Sequence, residues 1–175
     1  MHYRPEIDGL RAWAVLSVLV FHFYPSAFPY GFFGVDLFFV ISGYLISTYI
    51  VEESEKELFS FWTFYQRRVK RILPVMLVVL SATYLVALCI LISADLDRFL
   101  KSLLSTLTLT ANIFFWRDGG YFGANNALKP LLHMWSLAVE EQFYLLFPLV
   151  FVLLLKYIRT PKQRLFAVSL ISLFS

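Results

Sequence analysis

The run ILPVMLVVLSATYLVALCILI, residues 72–92, is 21 residues long and carries no charge. A helix rises about 1.5 Å per residue and the bilayer's hydrocarbon core is about 30 Å thick, so about 20 apolar residues in a row read as a spanning helix. The same reading works outward in both directions. Apolar stretches run from Leu10 to Tyr24, Phe32 to Val51, Phe99 to Trp116, Leu131 to Leu155, and from Leu165 onward. The stretches at 32–51 and 131–155 are long enough to span outright. The stretch at 10–24 is short and follows Arg4 and Arg11, as a secretory signal would. No clear small-residue cleavage site follows it, so it is read as a retained first span. The stretch at 99–116 carries Lys101, Asn112 and a Ser/Thr-rich middle, and is expected to be amphipathic or re-entrant.

Composition supports the same class. The chain is 59% hydrophobic, 19% aromatic and 15% charged, against roughly half apolar and a quarter charged in soluble domains. The expected fold is all-α: a polytopic transmembrane helix bundle of about five to six hydrophobic segments, the N-terminal part of a larger bundle. The lone Cys89 can form no intrachain disulfide. The net charge of +3 is small and its basic residues are grouped beside apolar segments, which suits a membrane surface and its lipids better than nucleic acid.

Upstream of the quoted run, residues 52–71 pass from acidic (Glu52, Glu53, Glu55, Glu57) through aromatic (Phe59, Phe61, Trp62, Phe64, Tyr65) to basic (Arg67, Arg68, Lys70, Arg71). This order describes a cytoplasmic interfacial segment beneath the bilayer. Lys156, Arg159, Lys162 and Arg164 form a second basic loop. Positive charge marks cytoplasmic loops, and both loops face the same side only if 99–116 does not cross fully; residues 93–130 then lie largely outside and the N-terminus inside. On a helix Arg68 and Arg71 converge, and their forks suit phosphate oxygens; contact with acidic lipid head groups is the plainer alternative.

The remaining polar intrusions are sparse. His22 follows Arg11 by eleven positions, so on a helix the two are offset by only about 20° and separated by about 16 Å, in one lane. Ionisable groups inside lipid normally face a protein interior or a wet cavity. Asp36, near the outer end of the second stretch, is expected level with His22, where it would orient the imidazole or simply cap its own helix. Asp8 caps the first helix or holds Arg11. His133, Ser136, Glu140 and Tyr144 recur at helical spacing as a polar stripe, and Glu141 adjoins it. An unpaired carboxylate in an apolar span is costly, which makes Glu140 a functional candidate. His133 reads as an interfacial, structural residue.

The runs Arg4–Arg11 (RPEIDGLR), Gly31–Leu45 (GFFGVDLFFVISGYL), Phe64–Pro74 (FYQRRVKRILP) and Leu131–Tyr144 (LLHMWSLAVEEQFY) resemble the membrane acyltransferase-3 family. Gly120-Tyr121-Phe122 followed by Leu128–His133 is similar to members fused to an SGNH domain that acetylate O-antigen or peptidoglycan. The resemblance places that family's arginine–histidine motif on Arg11 and His22, and its paired-arginine motif on Arg68 and Arg71. It implies acetyl-CoA as acyl donor, with no permanently bound cofactor; the sequence itself shows no metal-ligand cluster, so no metal is expected. The resemblance also implies a hydroxyl of a cell-surface polysaccharide as acceptor, and a multi-pass location in the bacterial inner membrane. Arg11, Arg68 and Arg71 would handle the donor. His22 would act as base or as covalent acyl carrier, with Asp36 or Glu140 orienting it. The missing C-terminal half, and any SGNH domain, would complete the enzyme.

Two other classes fit the residues: a transporter or proton-coupled channel built on His, Asp and Glu, and a non-catalytic membrane scaffold. Dependence on a thioester donor separates the first from an acyltransferase. Tolerance of Arg11→Lys together with His22→Gln identifies the second.

Overall fold

The computed structural model describes residues 4–119 and 129–157, with side chains to residue 154. The Gly120-Tyr121-Phe122 motif, the side chains of the second basic loop and the segment from Leu165 lie outside the described residues. Among the described residues six helices follow in order: α1 Pro5–Phe23, α2 Phe33–Glu55, α3 Phe61–Ile90, α4 Ser93–Leu107, α5 Ala111–Arg117 and α6 Met134–Tyr157. Among the described residues there is no strand. The all-α expectation therefore holds.

Among the described residues three helices are long and apolar enough to cross a membrane: α2, α3 and α6 over Met134–Leu154. α1 is not among them. Glu6, Asp8 and Arg11 occupy its first two turns, leaving an apolar rod of only about 18 Å from Ala12 to Phe23.

Local chemistry sets the helix ends. Pro5 stands in the first turn of α1, where a missing N–H costs nothing, and Glu6 and Asp8 complement the dipole there. α2 ends at Glu55, and Glu57 then turns the chain at φ 57° while the Leu58 N–H bonds the Glu53 carbonyl. Ser60 caps α3 by accepting from the Thr63 N–H. From there α3 runs unbroken through Pro74, so the basic cluster expected on a separate interfacial segment stands on the same helix as the apolar run.

The 99–116 region is two helices rather than one. α4, at 15 residues, is about 22 Å long, short of the hydrocarbon core. Its buried face holds Phe99, Ser102, Ser105 and Thr106, and the hydroxyls bond back to carbonyls of their own helix: Ser102 to Phe99, Ser105 and Thr106 to Ser102. Their polarity is thereby satisfied without water. Leu109, at φ 58°, then breaks the helix before α5.

The chain divides into two compact units, 1–59 with 146–175 and 60–145. In the first, α1 and α2 pack as an antiparallel hairpin. A Cβ on Gly34 would overlap the Ala14 carbonyl oxygen and stand 2.9 Å from Val18 Cγ2; one on Gly31 would overlap the Ser17 carbonyl oxygen and stand 2.7 Å from Phe21 Cβ. Backbones approach that closely only where no side chain intervenes. In the second unit, Met76, Leu80 and Ala87 of α3 meet Phe99, Ala111, Phe115, Leu131, Met134 and Ala138 in one apolar core.

Candidate functional site

Each unit holds its own set of candidate residues. The first set lies on the α1–α2 hairpin. α1 is continuous from Pro5 to Phe23, so Arg11 and His22 do occupy one lane about 16 Å apart. Arg11 is half-buried, and its Nε is buried with no hydrogen-bond partner. A guanidinium N–H left without an acceptor is a donor in want of a ligand.

His22 is exposed, with the edge of its ring set against Phe21 at 5.6 Å between centroids. Its Nδ1 lies 2.8 Å from the Val18 carbonyl oxygen. A carbonyl can only accept, so Nδ1 carries the proton and the neutral ring keeps its lone pair on Nε2. The tautomer is thus set by α1 itself, without a carboxylate.

Asp36 is exposed in the first turn of α2. Gly31 lies against Ser17 and Gly34 against Ala14, so each step along α2 is matched by one step back along α1. Arg4 and Tyr44 keep the same register: the Arg4 guanidinium donates to the Tyr44 hydroxyl and lies 5.7 Å from its ring centroid. Asp36 therefore stands level with Ala12, one residue on from Arg11 and about 15 Å, nearly three turns, from the level of His22. No hydrogen bond or ion pair joins Asp36 to His22 among the described residues.

At the start of α1, Glu6 accepts from Arg4 Nε at 2.8 Å. The Glu6 backbone N–H, and after it Arg4, hold that carboxyl below the usual range.

The second set, in the other unit, joins α3 to the first half of α6. Arg68 Cζ sits 4.0 Å from the centroid of the Tyr144 ring and 5.2 Å from that of Phe64. Phe64, one turn before Arg68 on α3, and Tyr144, from α6, are both buried. The Tyr144 hydroxyl donates to Glu140 Oε1, one turn earlier on α6. Nearby, the Tyr65 hydroxyl donates to the Leu145 carbonyl at 2.8 Å.

Arg71 is exposed one turn beyond Arg68, so the two guanidinium groups can reach a common anion. Glu141 lies within electrostatic reach of Glu140, Arg68 and Arg71, and its Oε1 is buried with no hydrogen-bond partner. Of the expected stripe, Glu140 and Tyr144 meet directly; Ser136 instead bonds the His133 carbonyl, and His133 is exposed.

Two polar clusters were not anticipated from the sequence. Asn112 and Gln142 form a reciprocal amide pair, at 3.0 and 3.1 Å, and Gln142 Nε2 also donates to the Leu109 carbonyl at 2.7 Å. Lys129, only 5% exposed, contacts Asp118 Oδ2 at 3.0 Å and donates to the Asp118 carbonyl at 2.7 Å, while Arg98 lies 3.4 Å from Asp118 Oδ1. The partners are 30 and 11 residues apart in the chain, far beyond the three or four at which one helix brings side chains into contact. A lone Gln in an apolar span was the available signal for the first.

The described residues, all helical and with three helices of membrane-crossing length, define the class: a polytopic helical membrane protein. Within it the chain belongs to the Acyltransferase domain family, whose sequence pattern matches residues 4–175. It is 40% identical over 187 residues to the O-acetyltransferase OatA of Staphylococcus aureus strain NCTC 8325 / PS 47, covering 98% of this chain and 29% of that protein. OatA of strain MRSA252 matches with the same identity and coverage. This chain therefore spans less than a third of the curated relatives it matches. No solved structure matches it significantly.

Proposed function

We propose that the protein is a membrane O-acetyltransferase that moves an acetyl group from acetyl-CoA to a hydroxyl of a cell-surface polysaccharide of the peptidoglycan or O-antigen type. Family membership and the similarity to O-acetyltransferases support acetyl transfer. The observation that carries the chemistry is the Nδ1–H to Val18 carbonyl bond, which leaves Nε2 of His22 as a base.

His22 Nε2 takes the acceptor hydroxyl's proton as its oxygen attacks the thioester carbonyl. The C–S bond then breaks, and the CoA thiolate leaves and recovers the proton. Arg68, Arg71 and Arg11 offer guanidinium forks to the donor's phosphates. Asp36 adds a carboxylate on the hairpin close to the level of Arg11. Basic residues at the N-terminal end of α3 support a cytoplasmic location for that end and for the N-terminus, in the inner membrane of a bacterium.

Replacing His22 by Ala in the natural full-length protein tests this. Acetylated polysaccharide should fall to background with the protein's abundance in the membrane unchanged; normal acetylation in that variant would overturn the assignment.

A further inference from the structure

We propose that Tyr144 and Glu140 are a positioning pair for Arg68, holding its guanidinium flat so that its N–H edge meets the anionic part of the donor. The proposal rests on the reading of Arg68 as a donor-binding residue. It assigns Glu140 to the arginine cluster instead of to the imidazole of His22.

An arginine side chain is long and rotamer-rich, and holding it still costs conformational entropy at the moment of binding. Here that ordering is built in beforehand. The Tyr144 ring is 2% exposed and Phe64 3%, so neither ring is free to swing. Arg68 Cζ lies 4.0 Å from the Tyr144 ring centroid, well inside the range for a cation over an aromatic face.

Tyr144 holds the guanidinium by its ring and by a side-chain hydrogen bond, with Glu140 adding a favourable charge, and the remaining N–H donors are left for a second partner. Those in-plane donors are the ones that make paired bonds to phosphate oxygens. Arg71, one turn on, adds a second cation beside them.

Glu140 acts through the ring. By accepting from the Tyr144 hydroxyl it fixes the ring's tilt and draws the O–H bond toward itself, which enriches the π face that Arg68 covers. A carboxylate already bonded to a tyrosine on its own helix is well placed for this. The contact also explains why the two residues stand four apart on α6: that spacing puts them one above the other.

The test uses the natural full-length protein in membranes, with radiolabelled acetyl-CoA as donor, measuring KM for the donor and kcat separately for Tyr144→Phe, Tyr144→Leu, Glu140→Gln and the Phe/Gln double variant. Tyr144→Leu should raise donor KM by about tenfold, with kcat much less affected, through loss of the stacked ring. Tyr144→Phe should restore most of that loss, and Glu140→Gln should match Tyr144→Phe. The double variant should be no worse than either single one, because both remove the same bond.

A large fall in kcat for Glu140→Gln at unchanged KM would overturn the proposal and make Glu140 a direct participant in proton transfer. Unchanged KM in Tyr144→Leu, at normal membrane abundance, would overturn it equally. If the unaltered protein transferred no acetyl group from CoA, the donor reading of Arg68 would fall and take the pair with it. That last outcome is distinct from the other two, which leave donor use intact.

Discussion

Gly34 of α2 lies against the carbonyl oxygen of Ala14 so closely that no Cβ fits between them, and Ala14 is fully buried. This contact, repeated at Gly31 and Ser17, sets the register of the hairpin that carries Arg11, His22 and Asp36. Gly34→Ala should therefore destabilise the protein by about 2 kcal/mol, since the overlap is with backbone and not with a flexible side-chain tip. Loss of thermal stability in detergent, compared with Gly9→Ala, where nothing lies within 4 Å, checks this. Equal stability of the two variants would refute the register.

Arg11→Lys should lower donor-dependent acetyl transfer by about tenfold, because lysine cannot supply a donor where the arginine Nε is buried without a partner. Steady-state transfer in the full-length protein is the measurement. Full activity in Arg11→Lys would mean that only the positive charge matters there.

Gln142→Leu should cost more than Asn112→Leu. The asparagine serves one partner, whereas Gln142 serves both Asn112 and the Leu109 carbonyl. Each lost bond that leaves a half-buried polar group unpaired is worth about 1–3 kcal/mol, so the order of the two variants in a melting experiment is the diagnostic.

Lys129→Met should lower stability by about 2 kcal/mol, because it strands the Asp118 carbonyl and leaves the carboxylate only the longer contact to Arg98. Arg98→Ala, at the exposed flank of the same Asp118, should change it by less than about 1 kcal/mol. Chemical unfolding of the two variants side by side would separate the contributions.

Much of this was legible in the sequence because apolar run length and helical spacing are local properties. The membrane-length helices α2, α3 and α6 follow from runs at 32–51, 72–92 and 131–155, and the Arg11–His22 lane follows from counting eleven residues along one helix. Long-range register was not legible. A simple hairpin puts Asp36 level with His22, but the glycine contacts slide α2 along α1 and set Asp36 close to the level of Arg11. The extent of α3 was also hidden: a switch from aromatic to basic residues reads as an interface, yet no helix-breaking residue separates Arg71 from the apolar run, and Pro74 is absorbed. Glu140 was recognisable as costly, but its bond to Tyr144 and the stacking of Arg68 depend on α3 meeting α6.

The bond from His22 to the Val18 carbonyl has one more consequence. With Nδ1 occupied, the imidazole is a single-port group: a proton and an acyl carbon must use the same nitrogen in turn. A ring carrying acetyl would have no seat left for the hydroxyl's proton, so a relay through His22 would require another base at the deacylation step, whereas direct transfer would not.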